Sequence, residues 1–133
     1  MRNFKICLIE DDQAFLYLAK IIIQSVDSNL DVVSFTDGAK GYEFIEKNKA
    51  DKDALADIIF LDLNMPCMDG WEFLDAYAKI KDQISKSTTI YLLSSSISEK
   101  DINRANGIPL VKDFLTKPLE ESKLKEILNE HRV

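Results

Sequence analysis

The run FLDLNMP, residues 60–66, decides how the whole chain folds. Phe60 and Leu61 close an apolar, strand-forming segment that opens at Ile58, and the segment then stops on Asp62. Asn64 follows two positions later, and Pro66, which has no N–H to give to a ladder, ends any continuation. A buried strand that terminates in a carboxylate delivers that carboxylate to the rim of a sheet. What the other strands deliver beside it then determines the chemistry.

Four more apolar runs of strand character surround this one: Phe4 to Ile9, Val32 to Phe35, Ile90 to Leu93 and Phe114 to Leu115. Between them the period changes to that of a helix. Phe15, Leu18, Ile22 and Val26 recur at helical spacing, with Leu16, Ala19 and Ile23 widening the stripe. Trp71, Leu74, Tyr77 and Ile80 repeat the pattern, as do Leu124, Ile127 and Leu128. Alternating strands and helices predict a doubly wound α/β domain. Its five-stranded parallel sheet carries helices on both faces, because each parallel crossover needs a helix. The unbroken apolar strands agree with burial on both sides of the sheet. EKNKADKDALAD, residues 46–57, reads as a charged, solvated connection.

A length of 133 residues suits a single domain, so one domain over residues 1–133 with no output domain is expected. Acidic residues outnumber basic ones 23 to 17, for a formal charge of −6. That balance lacks the positive excess that nucleic acid or an anionic membrane attracts, so neither is an expected partner. No apolar stretch approaches a membrane span and the N-terminus carries no cleavable leader pattern, which makes the cytoplasm the expected compartment. Cys7 lies in an apolar strand-like run and behaves there as a small hydrophobe; it and Cys67 are expected to stay unpaired. His131 is the single histidine, which removes a Ser-His-Asp triad and any multi-histidine metal site.

In open parallel sheets, ligands bind outside the carboxyl ends of the strands. This sequence places Glu10, Asp11 and Asp12 after the first strand and Asp62 after the third. It places Ser94, Ser95 and Ser96 after the fourth, and Thr116, Lys117 and Pro118 after the fifth. Each group alone has an ordinary reading: Asp12 can cap a helix, Ser98 can cap the helix that opens EKDINRA, and TKP can be a turn. Gathered on adjacent strand ends they make a site. Setting Glu10, Asp11 and Asp62 together opposes like charges at about 4 kcal/mol per pair, for a separation of roughly 4 Å and an effective dielectric of about 20. A cation therefore belongs with them. Oxygen donors without imidazole or thiolate select a hard ion, and so few carboxylates fit Mg²⁺ better than a Ca²⁺ cage. Magnesium beside a carboxylate and Lys117 points to phosphate chemistry, with the carboxylate as nucleophile toward phosphorus.

On LIEDDQ (8–13), FLDLNMP, MPCMDG (65–70), IYLLSSS (90–96) and TKP (116–118), the whole chain resembles the receiver domain of a two-component response regulator, similar to the stand-alone chemotaxis type. The resemblance implies a flavodoxin-like strand order, 2-1-3-4-5, and a role for each site residue. Asp62 is the implied phosphoacceptor, and the backbone carbonyl of Asn64 an implied Mg²⁺ ligand. Glu10 and Asp11 match the family's acidic pair, Asp11 binding the metal directly and Glu10 mainly through water, with Asp12 an open alternative. Ser94 matches the hydroxyl that bonds the phosphoryl group, and Ser95 a neighbouring position that influences access. Lys117 and Pro118 match a lysine-proline pair whose peptide bond is typically cis. Phe114 matches the switch aromatic, although a phenylalanine in a fifth strand equally suits plain core. Gly70 is expected to relax the backbone ahead of the third helix. Two stretches depart from the family pattern: the segment before the third strand is long, and GIPLVKDF (107–114) extends the usual turn.

The resemblance implies a histidine kinase or histidine phosphotransfer protein as donor and a downstream protein target. The chain would act as a phosphorylation-dependent switch, monomeric or weakly dimeric, that catalyses only its own phosphorylation and dephosphorylation. A magnesium-dependent phosphohydrolase is the rival from the enzyme class. It commonly needs a second acid two residues beyond the nucleophile, where this chain has Asn64. A phosphorylation-independent binding module has no use for the acid, hydroxyl and lysine set.

Overall fold

The inner strands are apolar on both sides and pair into one parallel sheet, in a computed structural model that describes residues 4–95 and 98–131. The elements alternate: β1 (Lys5–Ile9), α1 (Gln13–Val26), β2 (Asp31–Phe35), α2 (Gly38–Lys47) and β3 (Ile58–Asp62). Then come α3 (Gly70–Ile80), β4 (Thr89–Ser94), α4 (Glu99–Asn106), β5 (Val111–Thr116) and α5 (Glu121–His131). The sheet order is β2-β1-β3-β4-β5, the doubly wound arrangement that the alternation predicts. The register pairs Ile9 with Leu61, Asp62 with Leu93 and Ser94 with Thr116, so the carboxyl ends of β1, β3, β4 and β5 share one rim.

Two cores follow from the pleat, since successive strand residues face opposite ways. Ile58 and Phe60 of β3 pack with Leu16, Ala19 and Ile23 of α1 and with Leu124, Ile127 and Leu128 of α5. Ile59 and Leu61 face the other layer, where Ile45 of α2, Phe73, Leu74 and Tyr77 of α3, and Ala105 of α4 are buried. Each large side chain so buried is worth about 1.5–3 kcal/mol. Of the three helices on this layer, α4 is the least committed to it: Ala105 is its one buried residue, and Arg104 reaches back to lie 4.3 Å over the Trp71 ring of α3.

Three expectations are corrected here. In α1 one residue of the predicted face, Leu18, turns outward: Leu16, Ala19 and Ile23 are buried and Phe15, Ile22 and Val26 pack half-buried against the core, while Leu18 is 58% exposed beside exposed Tyr17 and Ile21. The helix is apolar nearly all round, so its periodicity alone does not choose a face. GIPLVKDF is no extended turn, because β5 begins at Val111. As an edge strand β5 leaves Lys112 and Asp113 exposed, which hides it from a search for apolar runs. The connection before β3 is solvated only in part: Leu55 and Ala56 are buried beneath it, and Lys86 pins it by donating to the Leu55 carbonyl at 3.0 Å and pairing with Asp57 at 3.0 Å. Cys7 and Cys67 are both free thiols, as expected. No helix among the described residues is long and apolar enough to cross a membrane.

Candidate functional site

Because β1 and β3 lie side by side in matched register, the residue after β1 and the last residue of β3 meet at the rim. Carboxylate oxygens of Glu10, Asp11 and Asp62 all lie within 4.8 Å of one another. Glu10 and Asp62 are 3% and 5% exposed, whereas Asp11 faces solvent. Asp12 does something else: it is the N-cap of α1, accepting from the backbone N–H groups of Ala14 at 3.0 Å and Phe15 at 3.2 Å. Of the three consecutive acids, Glu10 and Asp11 are the two that converge with Asp62.

Lys117 arrives from the tip of β5. Its backbone N–H donates to the Ser94 carbonyl at 2.9 Å, extending the β4–β5 pairing past the strand end, and its peptide bond to Pro118 is cis. The ammonium pairs with Glu10 Oε1 and stands 3.2 Å from Asp62 Oδ1. The other oxygen of Glu10 accepts from the Asp12 N–H at 3.2 Å. Burial pushes the Glu10 carboxyl up to about 7; the bond from Lys117 opposes this, and Asp62 beside it adds to the rise. For Lys117, burial alone would lower the ammonium, but the Glu10 and Asp62 carboxylates outweigh it and hold it above its ordinary value.

Three carboxylates against one ammonium leave the rim with excess negative charge when all are ionised. The donor set is oxygen throughout, which suits a hard divalent ion with water completing its shell. Asn64 lies exposed on the β3–α3 loop, and among the described residues its carbonyl makes no hydrogen bond that would compete with a cation. Glu10, Asp11 and Asp62 could hold such an ion, with Asn64 within the same loop.

The loop itself is tightly built. The Met68 N–H donates to the Pro66 carbonyl at 2.7 Å and the Gly70 N–H to the Leu63 carbonyl at 2.9 Å. The residue that takes the left-handed conformation is Cys67, with φ of 67°, and no glycine has a positive φ. Gly70 is therefore not the relaxing residue; it is needed for space. A Cβ there would sit 2.7 Å from the Asp62 carbonyl oxygen and 2.9 Å from Leu63 Cα. Asp69 and Glu72 then close a capping box that starts α3, each side chain accepting from the other's backbone N–H.

Ser94 ends β4 beside Asp62 and is 2% exposed; Ser95 is exposed, and Ser96 lies outside the described residues. Ser98 caps α4, accepting from the Asp101 N–H at 3.1 Å. Phe114 is half-buried, pairs with Leu92 and packs with the layer under α2 to α4, apart from the acids. One rim residue escaped sequence reasoning. The ring of Phe15, on the first turn of α1, lies 4.7 Å from Lys117 Nζ. Nothing in the sequence distinguishes it from an ordinary core aromatic.

Fold and rim together define a doubly wound α/β protein whose carboxyl edge carries an acidic, lysine-closed cluster that could hold a cation. The chain belongs to the response regulator receiver domain family, which matches residues 6–129, and it is a receiver domain of the two-component type. Receiver domains of this family accept phosphate from histidine kinases. A two-component response regulator from Cytophaga hutchinsonii has a similar structure, with a TM-score of 0.88 and 26% identity over 99% of this chain and 98% of that one. The phosphorylated cyanobacterial phytochrome response regulator RcpA is 30% identical, with a TM-score of 0.72, over 96% of this chain and 90% of that one. Transcription factor SKN7 of Chaetomium thermophilum is 28% identical over 127 residues, 96% of this chain. The chain spans 15% of the length of that factor and 7% of the hybrid signal transduction histidine kinase L of Dictyostelium discoideum.

Proposed function

We propose that Asp62 is the phosphoryl acceptor, charged by a histidine kinase or a histidine phosphotransfer protein, and that the resulting acyl phosphate switches a surface that binds a downstream protein. An Asp62 carboxylate oxygen forms the new bond to phosphorus as the phosphorus–nitrogen bond of the donor phosphohistidine breaks, the imidazole leaving with the electron pair. Glu10, Asp11, Asp62 and the Asn64 carbonyl would hold Mg²⁺, which would supply neutralising charge to the phosphoryl oxygens. Lys117 supplies the second neutralising charge, and the Ser94 hydroxyl donates to the phosphoryl group. Both move toward the new anion, and their displacement shifts a two-state equilibrium on the face of α4, β5 and α5, with Phe114 repacking. Water later hydrolyses the acyl phosphate, so the chain's own chemistry is confined to its charging and resetting. Donor and target are placed in the cytoplasm with it.

The observation that carries this reading is the convergence of three carboxylates within 4.8 Å, with the Lys117 ammonium 3.2 Å from one of them. The test is incubation with phosphoramidate and Mg²⁺, followed by intact mass measurement of wild type and Asp62→Asn. Wild type should gain one phosphoryl group and the variant none. A gain that persists in Asp62→Asn would move the acceptor elsewhere.

A further inference from the structure

We propose that Phe15 is a positioning residue for phosphoryl transfer, its ring holding the Lys117 ammonium over the rim; the inference rests on the reading of Asp62 as acceptor. Lysine carries its charge on a flexible four-carbon stem, so a charge needed at one point must be held there by its surroundings. The Lys117 ammonium meets Glu10 and Asp62, and the Phe15 ring lies 4.7 Å from the same nitrogen, inside the range at which an aromatic face attracts a cation. The ring is itself fixed. Phe15 donates its N–H to the Asp12 cap at 3.2 Å, and its side chain is partly buried against the α1–α5 core.

The consequence lies in what changes on phosphorylation. Asp62 is one of the two carboxylates that hold Lys117, and when it becomes an acyl phosphate its negative charge shifts outward onto the phosphoryl oxygens. The ring is a partner whose attraction does not depend on that charge. It also covers one side of the ammonium with carbon, so that water does not compete for the ammonium there. The ring thus keeps the ammonium on the side of the rim from which it reaches the phosphoryl oxygens as it moves toward them. The same α1 turn that spends Asp12 on a cap thereby places an aromatic against the site's cation.

The test separates the ring's electrostatics from its bulk. The chain has seven phenylalanines, so fluorinated analogues must be introduced at position 15 alone, by site-specific incorporation. Mono-, di- and trifluorophenylalanine keep the shape and progressively weaken the negative face. With phosphoramidate and saturating Mg²⁺, the phosphorylation rate should fall stepwise along the series, by about three- to tenfold at trifluoro, as expected for losing one such contact. Phe15→Leu should be slowed similarly and Phe15→Tyr should match wild type, with thermal midpoints close to one another in the fluorinated set. Equal rates across the fluorinated series would overturn the proposal. A second readout does not need phosphorylation: the Lys117 Hε protons should resonate upfield in wild type and return to ordinary shifts in Phe15→Leu. Absence of that upfield shift would also overturn it, whereas equal charging of wild type and Asp62→Asn would instead defeat the acceptor assignment.

Discussion

Magnesium should compete with a proton at Glu10, and the competition can be sized from the site. The Glu10 carboxyl is pushed from 4.5 to about 7 by burial, with Asp62 adding to the rise against the Lys117 bond. A folded-state value above the unfolded one means that the native chain binds the proton more tightly. Without metal, this group's contribution to stability is full below pH 4.5 and is lost as pH climbs through 7, by about 3 kcal/mol in all. A divalent ion needs the ionised form, so its apparent affinity falls in proportion to the protonated fraction. Between pH 8 and pH 5.5 that fraction grows enough to weaken Mg²⁺ binding by about 30-fold through Glu10 alone. Titration calorimetry in buffers of different ionisation enthalpy measures both affinity and proton release. Most of a proton per ion should be released at pH 6 and only a small fraction at pH 8. Glu10→Gln should bind less tightly at pH 8 and lose most of the pH dependence. An affinity that stays level from pH 8 to 5.5 in wild type, with no proton released, would refute the placement of Glu10 at the ion.

Gly70→Ala should cost about 1–3 kcal/mol in urea denaturation and slow charging of Asp62, because its Cβ meets the Asp62 carbonyl oxygen at 2.7 Å. Asp69→Ala removes the capping box of α3 and should cost about 1 kcal/mol, read as a lower urea midpoint at unchanged slope. Iodoacetamide should modify Cys67, which is exposed, and spare Cys7 until the chain unfolds, since burial pushes the Cys7 thiol up to about 12. Peptide mass mapping before and after denaturation tells the two apart; early labelling of Cys7 would contradict its place in β1.

The parts of the fold legible in the sequence are those buried on both sides. Between their end residues β1, β3 and β4 present apolar and aromatic side chains to two layers, so their runs stand out without an alternating pattern. β5 shows only its inner end for the opposite reason: Lys112 and Asp113 face solvent at an edge. α1 misleads because Tyr17, Leu18 and Ile21 are apolar yet exposed, and the rotation of a helix against a sheet is set by the partner surface. At the rim, residue types at neighbouring strand ends gathered Glu10, Asp11, Asp12, Asp62 and Lys117, and the family resemblance singled out Glu10 and Asp11 from the three acids, the two that converge with Asp62. Contacts made by ring faces and by missing side chains left no such trace. Phe15 differs from a core phenylalanine only by what arrives from β5, and Gly70 from a turn glycine only by the closeness of Leu63 and Asp62.

Glu10, Asp62 and Lys117 come from the tips of β1, β3 and β5, and no two of them are neighbours in sequence. During synthesis the acids emerge long before the ammonium that neutralises them. Until the fifth strand docks, two carboxylates face each other at the rim without their lysine, and each end of the sheet must wait for the last. On the proposed role of Asp62, the cluster that would be charged is complete only once β5 has docked and brought Lys117 to the rim.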